Sequence, residues 1–172
     1  KKIYTKTAFD GDNEFYHQDY AYRKNIGIKY NDYLQCFIAL KDHKIENGCL
    51  KIFKGSHKNG LIKHDSVMTR SGMTKLTISS IDLKKLSKKN KIHNLELSAG
   101  SGVFFSYLTI HGSSSNASEI DQPRLIFQMI PINKLINNKK NLLKWKKRND
   151  AEDLILKKML KRKLGRYKKK VN

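Results

Sequence analysis

What most constrains this chain is a succession of apolar runs of strand length, separated by turn residues. Residues 33–40, 49–53, 103–108 and 125–130 are each too short for a buried helix and are rich in aromatic or β-branched side chains. Asn47-Gly48, Gly55-Ser56 and Gly100-Ser101-Gly102 stand between them, where the backbone must reverse. Residues 1–9, 15–22 and 95–97 read as further strands, with a turn at Asp10-Gly11-Asp12-Asn13 and a loop over residues 55–60. Pro131 closes the last strand. Before residue 137 only residues 81–91 have a helical pattern. Many short strands with few helices predict an all-β sandwich or barrel.

Hydrophobic residues make up 38% of the 172 positions, enough for the buried core of one domain. The net charge of +21 points toward nucleic acid or an anionic surface as a partner, but it is unevenly placed. Residues 134–172 hold 16 basic and 3 acidic side chains, and the first 133 hold 20 and 12. The chain therefore divides into a strand-rich core over residues 1–133 and a basic extension over residues 134–172. The extension reads as helical from Asn137, with Leu156, Leu160 and Leu164 repeating every four residues. Such a helix covers a sheet with its apolar stripe and turns its lysines to water. Binding to RNA or another anionic surface is the competing reading. Lys- and Asn-rich composition throughout fits an AT-rich coding sequence, which raises the charge without a nucleic-acid role, so nucleic acid is not the expected partner. No apolar run nears the ~18–20 residues that span a bilayer. No apolar stretch with a cleavage site opens the chain, and the lack of an initiator Met points to a fragment or to upstream residues. Cys36 and Cys49 lie in apolar runs and read as buried free thiols, which fits a reducing cytoplasm.

Candidate chemistry begins with His17 and Asp19, two apart in a segment read as extended. An extended chain puts residues i and i+2 on one face, roughly 6.5–7 Å apart. An imidazole and a carboxylate can then converge on one ion while Gln18 faces away. A His-x-Asp pair alone is common by chance, and a strand histidine is more often a core or surface residue. A third ligand is required. His111, between an apolar strand and Gly112-Ser113, is the best candidate, although spacing alone does not pair it with His17. Two histidines and a carboxylate on one face of an octahedron leave three positions open, which suits Fe(II) and O2 chemistry.

The text around these residues supplies the pairing. His17-Gln18-Asp19-Tyr20-Ala21-Tyr22 is followed in order by Glu46-Asn47-Gly48-Cys49-Leu50 and Gly55-Ser56-His57-Lys58-Asn59-Gly60. Then come Ile110-His111-Gly112-Ser113 and Gln122-Pro123-Arg124. The ordered set, spanning about residues 3–131, resembles the phytanoyl-CoA dioxygenase family of Fe(II)/2-oxoglutarate-dependent oxygenases. The resemblance implies a double-stranded β-helix, a jelly-roll or cupin-like barrel, with iron at its mouth. It implies that His17, Asp19 and His111 ligate the iron, that Arg124 holds the distal carboxylate of 2-oxoglutarate, and that Ser113 also contacts this cosubstrate. Phe37 falls where relatives often carry Trp as a wall of the cosubstrate pocket. Arginine suits its role, because a planar guanidinium grips a carboxylate through two parallel hydrogen bonds. The implied reaction consumes O2 and 2-oxoglutarate, releases succinate and CO2, and hydroxylates an unactivated carbon of a small organic substrate. The basic balance favours an anionic substrate. Related halogenases replace the carboxylate ligand with a small residue, so Asp19 favours hydroxylation.

Three features depart from the family pattern. Only 16 residues precede His17, where relatives carry a long segment that backs the sheet and, in some members, supplies a lysine to 2-oxoglutarate. Lys6 is the stand-in for that lysine. The step from His111 to Arg124 is longer than the pattern, and Gly100-Ser101-Gly102 lacks an acidic residue that often follows the glycine. A truncated, non-catalytic barrel acting as a basic binding module is therefore the rival function. Of the remaining candidates, His57 and Lys58 read as a loop near the barrel mouth, His64-Asp65 as a loop, and Gly48 and Gly55 as turn glycines. Tyr20 and Tyr22 divide between core and pocket wall. His43 and His93 receive no role.

Overall fold

The computed structural model describes residues 2–9, 13–26, 29–69 and 74–129, together with Leu143 and Lys147. Its strands run β1 (Lys2–Lys6), β2 (Glu14–His17), β3 (Leu34–Ala39), β4 (Leu50–Phe53), β5 (Asp65–Met68) and β6 (Thr74–Thr77). Helix α1 (Ser80–Ser87) follows, then β7 (Ile92–Leu95), β8 (Gly102–Ser106), β9 (His111–Ser113) and β10 (Gln122–Met129). Eight strands form two antiparallel four-stranded sheets, β1-β10-β3-β8 and β2-β9-β4-β7, and β5-β6 is a separate ribbon. Neighbours in each sheet are distant in sequence, the wiring of a jelly roll.

Side chains alternate across each strand. Gln35, Phe37 and Ala39 of β3 lie opposite Gln128, Ile126 and Arg124 of β10, and all of this row but the exposed Gln128 is buried or half-buried. Phe37, Leu50 and Phe105, with Ile52, Leu95, Val103 and Ile126, join the two sheets in one core. A second core of Phe53, Ile78 and Ile110 lies on the other side of the second sheet, closed by Leu83 and Leu86 of α1. Ser79 caps α1 by accepting the Asp82 N–H at 3.1 Å. Gly48 has φ +76°, and a Cβ there would stand 2.5 Å from the Ser114 carbonyl, so both backbone and space require glycine.

The structure corrects several element boundaries. The helix read over residues 81–91 ends at Ser87, because the Lys89 and Asn90 N–H groups turn back to the Leu86 carbonyl and the Asn90 amide donates to the Lys54 carbonyl. The strand read at residues 95–97 lies earlier, at Ile92–Leu95, and Leu97 forms a single bridge with His43. β10 begins at Gln122, three residues before its apolar run. Strands β5, β6 and β9 lack a readable pattern: the first two form a polar ribbon, and the third is three residues long. The turn at residues 10–12, Pro131 and the basic extension lie outside the described residues, except that Leu143 and Lys147 are helical. Cys36 and Cys49 are buried and free. No helix among the described residues is long and apolar enough to cross a membrane.

Candidate active site

β2 and β9 pair so that His17 stands directly opposite His111. Their ring centroids are 4.4 Å apart. The segment read as extended over residues 15–22 is extended only as far as Gln18 (φ −115°, ψ 127°), and Asp19–Tyr22 is a 3-10 turn. The turn forms because the Gln18 carbonyl accepts the Ala21 N–H and the Tyr107 carbonyl accepts the Tyr20 N–H. It still delivers the Asp19 carboxylate between the two imidazoles. Asp19 Oδ1 lies 3.5 Å from His17 Nε2, and Asp19 Oδ2 lies 3.8 Å from His111 Nε2. One ligand atom from each residue falls within 4.8 Å of the others.

Both rings are held for ligation. His17 Nδ1 donates to the Phe15 carbonyl at 2.7 Å, and His111 Nδ1 donates to the Thr109 carbonyl at 2.9 Å. With Nδ1 engaged in this way, each Nε2 is the ring nitrogen turned toward Asp19 and the one left for a metal ion. Burial, then the neighbouring His17, pushes His111 down to about 4, so it is neutral at pH 7. Burial also works against His17, but the hydrogen bond and charge of Asp19 outweigh it and raise that imidazole. Burial opposes ionisation of Asp19, yet His111, His17 and Arg23 hold its carboxyl below the usual range. Asp19 Oδ2 is buried without a hydrogen-bond partner among the described residues. An orphaned carboxylate oxygen beside two oriented imidazole nitrogens is a donor set that fits a divalent metal ion.

Arg124 is 6% exposed and projects from β10 into the barrel. Among the described residues its Nε and Nη1 have no hydrogen-bond partner, and neither does the buried Ser113 Oγ. The guanidinium carbon lies 5.8 Å from the centroid of the Phe37 ring. Ser113 is two residues beyond His111 on β9, so both turn to the same face. Lys6 is buried, and its Nζ donates to the Ser114 carbonyl.

Two residues next to the triad emerge only in three dimensions. Gln18, fully buried, donates to the Gly60 and Leu108 carbonyls and accepts the Ile62 N–H, which clamps the loop after Gly55 onto the ligand segment. His64 Nε2 accepts the Gln18 backbone N–H at 3.0 Å while its Nδ1 donates to the Ile62 carbonyl. His64 thus braces the ligand segment, and Asp65 opens β5 instead of continuing a loop. A glutamine between two candidate ligands was the one available signal. Tyr22 packs edge-on against His17 and accepts the Leu76 N–H through its hydroxyl. Tyr20 packs against Tyr30 and Tyr33. His57 and Lys58 are exposed on the turn Ser56–Asn59, and His93 is exposed on β7.

An eight-stranded jelly roll with two histidines and an aspartate converging inside it presents a donor set of the two-histidine, one-carboxylate kind that holds a metal ion with open positions. The family model for phytanoyl-CoA dioxygenase matches residues 1–125, and the chain belongs to that family. It is 32% identical over 104 residues to peroxisomal phytanoyl-CoA dioxygenase of Homo sapiens, covering 60% of this chain and 29% of that protein. It is 28% identical over 120 residues to ectoine dioxygenase of Bordetella parapertussis, covering 66% of this chain and 39% of that protein. The chain therefore spans well under half the length of these curated relatives. The fold is similar to EctD from S. alaskensis in its apoform, with a TM-score of 0.58 at 18% identity over 77% of this chain and 44% of that one. EctD with 2-oxoglutarate and 5-hydroxyectoine gives 0.57 at 18% identity over 78% and 46%.

Proposed function

We propose that this chain carries the site of an Fe(II)/2-oxoglutarate-dependent dioxygenase. It hydroxylates an unactivated carbon of a small organic substrate and converts 2-oxoglutarate to succinate and CO2. The observation that carries the reading is the convergence of His17 Nε2, Asp19 and His111 Nε2, with both Nδ1 atoms engaged by carbonyls and Asp19 Oδ2 left without a partner. These three residues would hold the iron. When bound, Fe(II) supplies redox chemistry with O2 that no side chain can perform.

The chain's own residues do the rest. Arg124 grips the distal carboxylate of 2-oxoglutarate, Ser113 adds a hydroxyl donor, and Phe37 walls the pocket. The neutral His111 and ionised Asp19 enter ligation without a proton to expel, and His17, which Asp19 raises, is the ligand whose proton the metal competes with. Asp19 supports hydroxylation over halogenation, since the carboxylate fills the position a halide would need. The two curated relatives are named for phytanoyl-CoA and for ectoine, so family membership does not select the substrate. The overall positive charge favours an anionic one. Two buried free thiols suit a reducing compartment such as the cytoplasm.

Anaerobic titration tests the reading. The protein is expected to bind one Fe(II) and then 2-oxoglutarate, with a visible charge-transfer band as the keto acid chelates the metal. His111→Ala and Asp19→Ala should each abolish the band while the protein remains folded by circular dichroism. A folded protein that binds no Fe(II) would remove the enzyme reading and leave the non-catalytic module.

A further inference from the structure

We propose that His43 is a second anchor for the distal carboxylate of the cosubstrate, donating a ring N–H beside the Arg124 guanidinium. The proposal rests on the 2-oxoglutarate reading above and adds a residue to it. His43 follows β3 by four positions and is 1% exposed. Its backbone is fixed in both directions to Leu97, at 2.7 Å through its N–H and 3.0 Å through its carbonyl. Its ring stands edge-on to Phe37, with centroids 5.1 Å apart and planes at 83°. Arg124 lies over the same Phe37 ring. The imidazole and the guanidinium therefore share one neighbourhood in the barrel.

Among the described residues neither ring nitrogen of His43 has a hydrogen-bond partner; the Pro123 carbonyl acts on the ring without meeting hydrogen-bond geometry. Arg124 Nε and Nη1, Ser113 Oγ and Gln122 Oε1 are also buried without partners. Folded interiors rarely leave one such group, and a phenylalanine or leucine would fill the His43 position with no polar atom to satisfy. A ligand that supplies the missing partner accounts for a polar ring here. The surrounding charge says which ligand. Arg124 and Lys6 are buried cations acting on His43, and Glu14, a carboxylate that acts on Arg124, is already paired with Lys75 at 2.9 Å. A carboxylate offers about four acceptor sites. The guanidinium fork takes two of them, and an imidazole N–H can take a third. Burial, then Arg124 and Lys6, keeps the His43 ring neutral, and a neutral ring retains one N–H to donate.

The test compares 2-oxoglutarate with 2-oxopentanoate, which has the same chain length and no distal carboxylate. Both are titrated anaerobically into the Fe(II)-loaded full chain. His43→Phe keeps the volume and the contact with Phe37 but has no N–H. It should weaken 2-oxoglutarate at least fivefold while leaving Fe(II) affinity and 2-oxopentanoate within twofold. His43→Asn, which restores an N–H, should stay within threefold of wild type for 2-oxoglutarate. If His43→Phe does not fold, His43→Leu is read by the same criteria. Unchanged 2-oxoglutarate binding in the apolar variant overturns the proposal. Equal weakening of both acids, or an Asn variant as weak as the Phe variant, also overturns it, because His43 is then structural. Wild-type protein that binds Fe(II) but neither acid overturns the cosubstrate reading itself, and this proposal with it.

Discussion

A buried cation with unmet donors is costly unless something outside the chain completes it, and Arg124, whose Nε and Nη1 have no hydrogen-bond partner among the described residues, is in that position. Two variants separate its cost from its use. Arg124→Lys keeps a charge but loses the planar fork, so 2-oxoglutarate should bind at least tenfold more weakly while Fe(II) binding holds. Arg124→Met removes the unpaired charge, so the ligand-free protein should melt at a higher temperature even as cosubstrate binding disappears. A lower melting temperature in Arg124→Met would mean that the guanidinium is structural. The buried histidines make a prediction of the opposite kind. His43 and His111 are each pushed down to about 4, whereas an unfolded imidazole titrates near 6.5. Between those values the unfolded chain binds more protons than the native one. The share these two contribute is therefore fully present above about pH 6.5 and falls as pH drops toward 4, by up to about 1.4 kcal/mol per pH unit for each histidine, while the raised His17 acts in the opposite sense above about 6.5. Urea midpoints of metal-free protein between pH 7 and 5 should show this slope, and His43→Phe should remove one of the two shares. At this scale His17, Asp19, His111 and Arg124 are legible because each sits in a short ordered motif. His43, Gln18 and His64 are not, because their significance lies in burial and partners that spacing along the chain does not encode.

Between residue and fold, the element that matters most is the three-residue strand β9, which pairs with β2 on one side and β4 on the other. Its middle residue is Gly112. A Cβ there would stand 2.8 Å from the Glu14 carbonyl oxygen and 3.0 Å from Tyr16 Cδ1. β2 would have to retreat, and β2 carries His17 opposite His111. Gly112→Ala should therefore weaken Fe(II) binding at least tenfold and cost about 1–3 kcal/mol of stability. Gly100→Ala is the control. Its φ is +84° but nothing lies within 4 Å of the added Cβ, so backbone strain of about 1 kcal/mol should leave Fe(II) binding unchanged. Comparable iron loss in both variants would mean that general destabilisation, not strand displacement, empties the site. β9 also shows where pattern reading ends. Three residues carry no periodicity, so the strand is marked only by its motif, whereas the apolar strands β3, β4, β8 and β10 announce themselves by composition. The polar ribbon β5-β6 has neither signal, since half of its side chains are exposed and none is fully buried.

At the scale of the whole molecule, the two sheets differ in what covers them. The outer side of the second sheet is closed by α1 through Leu83 and Leu86. The outer side of the first sheet is apolar, with Phe104 60% and Ile3 69% exposed, and Met129 47% exposed beside Leu34. An apolar patch on a sheet face marks a surface that something covers or that aggregates. The basic extension after residue 133 has the complementary pattern in sequence, a Leu156, Leu160 and Leu164 stripe on an otherwise lysine-rich segment. Every candidate site residue, by contrast, lies at or before Arg124. Deleting residues 134–172 should therefore lower solubility and melting temperature more than it lowers 2-oxoglutarate turnover per folded molecule. Turnover would be measured as succinate formed by the soluble, circular-dichroism-competent fraction. If the extension served nucleic acid instead, the intact chain would bind RNA with an affinity that falls steeply with salt, because each neutralised phosphate releases counterions. RNA binding of that kind that vanishes on deletion, with the barrel's melting temperature unchanged, would assign the extension to a partner and leave the first sheet's outer face to be covered by something else.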